Sequence, residues 1–236
     1  MIDLADATGA QNRATTSQRR RDFIQSLREL PGCVVSERSY TRGDHVRGTV
    51  INGSVHVQIV RSGMLSASAT MQDGRRQIMC FLLPGDVVCP FELAETECRA
   101  EALTDSETFD VTLPLNGPER PAVMSLLFEL SHKQLEKTLG HVVRLGRFSG
   151  AERICAFLLD LAHRSGQANH ETARLTLPMS REDIADHLGL NTETVSRIIS
   201  RIKRDGLVTF HSPTEVEIPS LRDLAAQVPM RGLQVQ

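Results

Sequence analysis

The chain has 236 residues, enough for one or two domains with a sizeable core. Hydrophobic residues make up 40% and charged residues 24%, with mean hydropathy −0.19, values that exclude a disordered or membrane-embedded chain. Lysine plus arginine number 27 against 29 aspartate plus glutamate, a net charge of −2, so any contact with a polyanion has to be local.

Residues 1–30 read as an N-terminal arm. The stretch has no apolar core of the kind a secretory signal needs, and its run Arg19-Arg20-Arg21 comes late, so a cytoplasmic location is expected and the arginines read as a solvated arm. The longest apolar stretch, Ile78 to Leu83, stops at Pro84, far short of the roughly 18 to 20 residues of a membrane span. No membrane partner is expected.

From 31 to 116 glycines punctuate the chain at 32, 43, 48, 53, 63, 74 and 85. Short segments between regularly spaced turn signals predict an antiparallel barrel or sandwich. Val55, Val57 and Ile59 alternate with Ser54, His56 and Gln58, the period of a strand buried on one face. Asp73-Gly74 predicts a hairpin turn, and Pro84-Gly85 a type II turn.

Residues 117–148 change grammar. Met124, Phe128, His132, Leu135, Leu139 and Val142 step by three and four, predicting a helix of about 25 residues, roughly 37 Å long, with a narrow apolar seam. Val123, Leu126, Leu127 and Leu130 lie off that seam, so one face is expected on the β domain and the seam, Phe128, His132, Leu135, Leu139 and Val142, against a second copy. No other helix of that length is predicted to cover it. His132 on the seam is a candidate pH-sensitive register residue.

Residues 149–236 open with an amphipathic helix over 151–163, carrying Ile154, Phe157, Leu158 and Leu161, and a polar loop over 164–172. Ser180-Arg-Glu-Asp183 matches a capping box and starts a short helix with Ile184, Ala185 and Leu188 inward. Gly189 breaks it. A second helix starts near Asn191 or Thr192 and runs to about Arg204, with Val195, Ile199 and Ile202 on one face and Gly206 beyond its end. Two short helices about a glycine turn form a helix-turn-helix, and the segments 207–210 and 215–218 around His-Ser-Pro-Thr predict a two-stranded wing.

The face opposite the apolar triad carries Glu193, Ser196, Arg197, Ser200, Arg201 and Arg204. A major groove admits one helix, read by side chains of its first turns. Arg197 has the fork that pairs with guanine O6 and N7, Glu193 accepts from cytosine N4, and Ser196 pairs in either sense. Arg201, Thr192, Thr194 and Ser180 complete the candidate DNA-binding set. Four basic and two acidic residues between 191 and 210 give the local positive excess that phosphate contact requires.

Four stretches, Met71-Gln-Asp-Gly-Arg-Arg-Gln-Ile78, Phe81-Leu-Leu-Pro-Gly-Asp86, the long helix, and the run from Leu177 to Ile198, resemble the CRP/FNR family of bacterial transcription regulators. The resemblance implies an α+β fold: an N-terminal antiparallel, jelly-roll-like β-roll that senses a signal, a long dimerisation helix and a C-terminal winged helix-turn-helix. It also implies a homodimer on palindromic double-stranded DNA, and RNA polymerase as a partner if the protein activates. Glu193-x-x-Ser196-Arg197 resembles the FNR and FixK branch, which favours TTGAT-like half-sites.

The signal is the part where the chain departs from the family. Oxygen-sensing FNR proteins hold an iron–sulfur cluster on three N-terminal cysteines and one in the β-roll, whereas here only Cys33 precedes residue 80 and Phe109 falls at the fourth position. Cyclic-nucleotide members place an Arg-Ser pair where this chain has Cys98-Arg99. Neither an FNR-type cluster nor cyclic AMP is therefore expected, and no metal. Haem on His45 or His56 with Cys80 or Cys89, a small ligand in the β-roll, thiol oxidation, and control by protein abundance with no signal at all remain open. Cys89 and Cys98 flank the loop-like stretch 90–97 and are the candidate redox pair. The five cysteines, 33, 80, 89, 98 and 155, include no C-x-x-C pair, which fits neither a disulfide scaffold nor a zinc ribbon. A barrel enzyme with an appended DNA module finds no support, for H-E-x-x-H, G-x-S-x-G and phosphate-loop motifs are all missing from the chain.

Overall fold

Alternating side chains and glycine turns become two antiparallel sheets in the computed structural model. The structure describes residues 24–25, 27–46, 50–51, 54–88, 97–118, 120–165, 168 and 171–229. The arginines at 19–21, Cys89 and most of the stretch 90–97 lie outside them. The chain divides into two compact units, with the boundary at Val142.

In the first unit the strands are β1 (Val34–Tyr40), β2 (His45–Val46), β3 (Val50–Ile51), β4 (Ser54–Ser62), β5 (Leu65–Thr70), β6 (Arg76–Leu82), β7 (Val87–Val88), β8 (Glu97–Ala102) and β9 (Ser106–Pro114). One sheet runs β1-β9-β4-β3 with β7 also on β4, and the other runs β2-β8-β5-β6. The turn glycines behave as predicted: Gly74 has φ +85° between β5 and β6, and Gly85 has φ +97° between β6 and β7. An apolar core of Tyr40, Val46, Val60, Leu65, Ala67, Leu82, Val88, Ala100 and Ala102 draws on strands of both sheets.

Strand β4 departs from the one-sided burial predicted for it. Val57 and Ile59 join a second core with Ile24, Leu27, Val111, Leu113 and Val123, while Val60 packs in the first. Gln58, on the polar side of the alternation, is only 1% exposed. Its burial is tolerated because the amide donates to Tyr40 Oη and to Asp110 Oδ1, each at 3.1 Å. Asp110 is itself buried, accepts from Thr108 Oγ1 at 2.8 Å, and pairs with Arg38 Nε at 3.0 Å. Asp110→Ala strips one partner from each of the buried donors Gln58 and Thr108, and we expect a loss on the order of 2–3 kcal/mol in urea unfolding, whereas removing the exposed Arg61, which pairs with Glu37 and Glu107, costs under about 1 kcal/mol.

The long helix α1 spans Arg120–Arg147. Val123 is fully buried, and Leu126, Leu127 and Leu130 pack against the same core as Val57 and Ile59. The seam residues behave oppositely: Met124, Phe128, Leu135, Leu139 and Val142 are 48%, 73%, 55%, 55% and 56% exposed. Lys137 Nζ reaches Asp86 Oδ1 at 2.5 Å, tying the helix to the Pro84-Gly85 turn.

The second unit contains α2 (Gly150–Ser165), β10 (Ala173–Thr176), α3 (Arg181–Leu188), α4 (Thr192–Arg204), β11 (Thr209–Phe210), β12 (Glu215–Ile218) and α5 (Leu221–Ala225). Helix α2 opens with a second capping box, in which Ser149 N donates to Glu152 Oε2 at 2.6 Å and Glu152 N to Ser149 Oγ at 3.4 Å. The wing is a three-stranded sheet in the order β10-β12-β11. The two-stranded prediction lacked β10, whose Ala173 and Leu175 are buried opposite Ile218 and Val216. Four residues with a single alternation, directly after a polar loop, are too short a signal to separate from that loop.

Candidate nucleic-acid interface

The helix-turn-helix is built by local chemistry. Ser180 Oγ accepts from Asp183 N at 3.0 Å while Asp183 Oδ2 accepts from Ser180 N at 2.8 Å, closing the box at the start of α3. Gly189 ends the helix in the left-handed region, φ +61° and ψ +42°, which a β-carbon would penalise. Asn191 then caps α4, its Oδ1 accepting from Thr194 N at 2.7 Å. Val195, Ile199 and Ile202 are 0%, 9% and 3% exposed, so the register of α4 is set by burial.

That register places Thr192, Glu193, Ser196, Arg197, Ser200, Arg201 and Arg204 on the solvent side, with Thr194 partly buried. Among the described residues the side chains of Glu193, Arg197, Lys203 and Arg204 engage no hydrogen-bond or ion-pair partner, which leaves them available to an incoming ligand. Arg201 lies 3.6 Å from Asp205, an exposed pair that a phosphate readily displaces. Ser200, though exposed, folds its hydroxyl back on its own helix, donating to Ser196 O at 2.9 Å. Ser180 also donates its hydroxyl proton to Asp183 Oδ2 at 2.9 Å, so while the box stays closed its side chain offers a DNA phosphate no donor. We expect Ser180→Ala to lower stability by about 1 kcal/mol in chemical denaturation, and Ser180→Asn to restore most of it.

Two features of this surface escaped sequence reading. Arg181 stacks its guanidinium 4.9 Å from the Phe210 ring centre, joining the first turn of α3 to wing strand β11, and burial holds its pKa below the usual arginine value. His211 Nε2 sits 2.7 Å from Glu217 Oε2 across the wing hairpin. Both join residues remote in local pattern, so no periodicity announces them.

The other sequence candidates belong to other elements of the chain. Cys98 is half-buried within β8, opposite Ala69, and Cys89 is outside the described residues. Burial pushes the Cys155 thiol up to about 11, and Cys33 is raised by the same cause. His45 is exposed on β2, whereas His56 on β4 meets Thr112 Oγ1 at 3.0 Å and lies 3.7 Å from Asp110. Among the described residues no group of three or more His, Cys, Asp or Glu side chains is placed to hold a metal ion. His132, exposed on the seam, is 3.8 Å from Glu136, with its ring 6.2 Å from that of Phe128.

A capped helix with a buried apolar face, an open cationic face and an adjacent wing defines a DNA-binding transcription regulator rather than an enzyme. Residues 152–227 match the Crp-like helix-turn-helix domain. The chain is 39% identical over 176 residues to the nitrogen fixation regulation protein FixK of Azorhizobium caulinodans, covering 72% of this chain and 69% of that one. Against the FixK of Rhizobium meliloti it is 35% identical over 161 residues, 67% of this chain and 72% of the relative. The solved structure of FixK2 from Bradyrhizobium japonicum superposes with a TM-score of 0.68 at 29% identity, over 84% of this chain and all of that one. The protein belongs to the CRP/FNR family of transcription regulators, on its FixK side.

Proposed function

We propose that the protein is a homodimer that reads an inverted pair of TTGAT-like half-sites through α4, with Arg197, Glu193 and Ser196 at base edges and Arg201 and Thr192 at phosphates. In this reading residues 31–116 form the sensor domain, 117–148 the dimerisation helix and 149–236 the DNA-binding domain. The observation that carries it is the partition of α4: Val195, Ile199 and Ile202 are buried while the base-reading types all face outward without partners. The dimer is supported by the exposed seam, because Phe128 at 73% and Leu135 and Leu139 at 55% leave an apolar stripe uncovered along a 28-residue helix. Like relatives named as activators, such as FnrL of Cereibacter sphaeroides, it is proposed to activate, with RNA polymerase as partner.

Binding is proposed to need neither cyclic AMP nor an FNR-type cluster, on the ground of Phe109 in β9 and of Cys98-Arg99 in place of Arg-Ser. Selection of binding sites from a random duplex library by the reduced, ligand-free protein tests this reading. The expected result is an inverted repeat bound by two copies, and enrichment of an asymmetric or random site would overturn it.

A further inference from the structure

Among the described residues the guanidinium of Arg153 holds only main-chain carbonyls. Nη2 donates to Leu145 O at 2.7 Å, Nε to Phe148 O at 3.0 Å, and Nη1 to Leu188 O at 2.8 Å with a longer contact of 3.5 Å to Gly189 O. Leu145 is in the last turn of α1, Phe148 directly follows that helix, Leu188 ends α3, and Gly189 is the turn of the helix-turn-helix. The last carbonyls of a helix have no partner within it and carry the negative end of its dipole. One cation therefore closes two helix ends at once. Arginine suits this place because its planar fork offers five fixed donors, where lysine offers a single point charge.

The surroundings of the fork are close-packed. A β-carbon on Gly150 would stand 3.0 Å from Ile198 Cδ1 of α4 and 3.3 Å from Leu190 Cδ2, so glycine is what lets the start of α2 approach both. A β-carbon on Gly189 would meet Arg153 Nη1 and Leu145 Cδ2, each at 3.5 Å. Phe148 is 5% exposed at the same joint. The last turn of α1, the first turn of α2 and the helix-turn-helix turn thus meet around one side chain, with α4 packed beside them at Gly150.

We propose that Arg153 is a positioning residue for DNA binding: it locks the helix-turn-helix to the last turn of α1 and so sets the register between the two recognition helices of the dimer. This inference rests on the dimeric reading above. Two half-sites demand recognition helices about 34 Å apart. A joint that yields leaves each winged helix able to bind its own half-site, while the pair loses the common geometry that makes the second contact nearly intramolecular.

The test measures affinity of the full-length wild type, Arg153→Ala and Arg153→Lys for three duplexes: the selected palindrome, a single half-site, and the palindrome with two base pairs added to its spacer. Wild type should lose about 10-fold or more on the lengthened spacer. Arg153→Ala should lose about 10-fold on the palindrome, stay within about twofold on the half-site, and penalise the longer spacer less than about threefold. Arg153→Lys, which keeps the charge but not the fork, should fall between and serves as the folded comparison if the alanine variant melts early. Equal losses on half-site and palindrome, or an undiminished spacer penalty in the variants, overturn the assignment. A wild type indifferent to the spacer overturns the dimeric reading itself, a failure distinguishable because it appears before any substitution.

Discussion

Arg197→Ala lowers affinity for the preferred site by about 1 to 3 kcal/mol, roughly 5- to 150-fold, and relaxes discrimination at one base pair of each half-site. The side chain is exposed on α4 with no partner among the described residues, so its loss costs the fold nothing and falls on the DNA contact alone. Arg201→Ala is the contrast. Its guanidinium lies 3.6 Å from Asp205 and is proposed to meet a phosphate, so the expected loss is uniform across sequences and shrinks the salt slope by about one. Anisotropy titrations against specific and scrambled duplexes at two salt concentrations separate the two. An equal loss for Arg197→Ala on both duplexes would remove it from the base-reading set.

Leu135→Glu combined with Leu139→Glu is expected to yield a monomer that fails to bind the proposed palindrome. The two positions are one helical turn apart on the seam, and each is 55% exposed in the single chain, so their substitution leaves the core intact. Twofold symmetry makes every substitution act twice, placing four carboxylates in an apolar contact. Uncompensated buried charge of that kind shifts the association by about 5 kcal/mol or more, several thousandfold. Sedimentation of the double variant checks the mass, and a far-UV circular dichroism spectrum unchanged from wild type checks that the helix still forms, while its melting temperature is expected to fall with the loss of the partner. A palindrome-competent dimer surviving both changes would place the interface elsewhere.

The helix-turn-helix was legible residue by residue because its signals are local. A capping box, a left-handed glycine and three inward aliphatics lie within one stretch, and backbone sterics together with hydrogen bonding between near neighbours dictate each of them. The two faces of α1 could likewise be separated by spacing alone, since Val123 and Leu127 fall off the line of Met124, Phe128 and Leu135. Strand β10 and the short helix α5 were not legible: a four-residue and a five-residue element hold too few repeats for a period to show.

What the sequence alone determined is the succession of a β domain, a long two-faced helix and a winged helix-turn-helix, together with the outward face of α4. Each depends on interactions within a few residues, and each is written as a period or a cap. Tertiary structure alone decided that Gln58 and Asp110 are buried, because Gln58 on β4, Asp110 on β9 and their partners Tyr40 and Arg38 on β1 come together only in the sheet. It decided equally that Arg153 faces four carbonyls up to 36 residues away rather than solvent. A polar side chain on a strand or helix reads as exposed until folding brings a partner to it, for desolvation is repaid only by groups that the chain order does not place nearby.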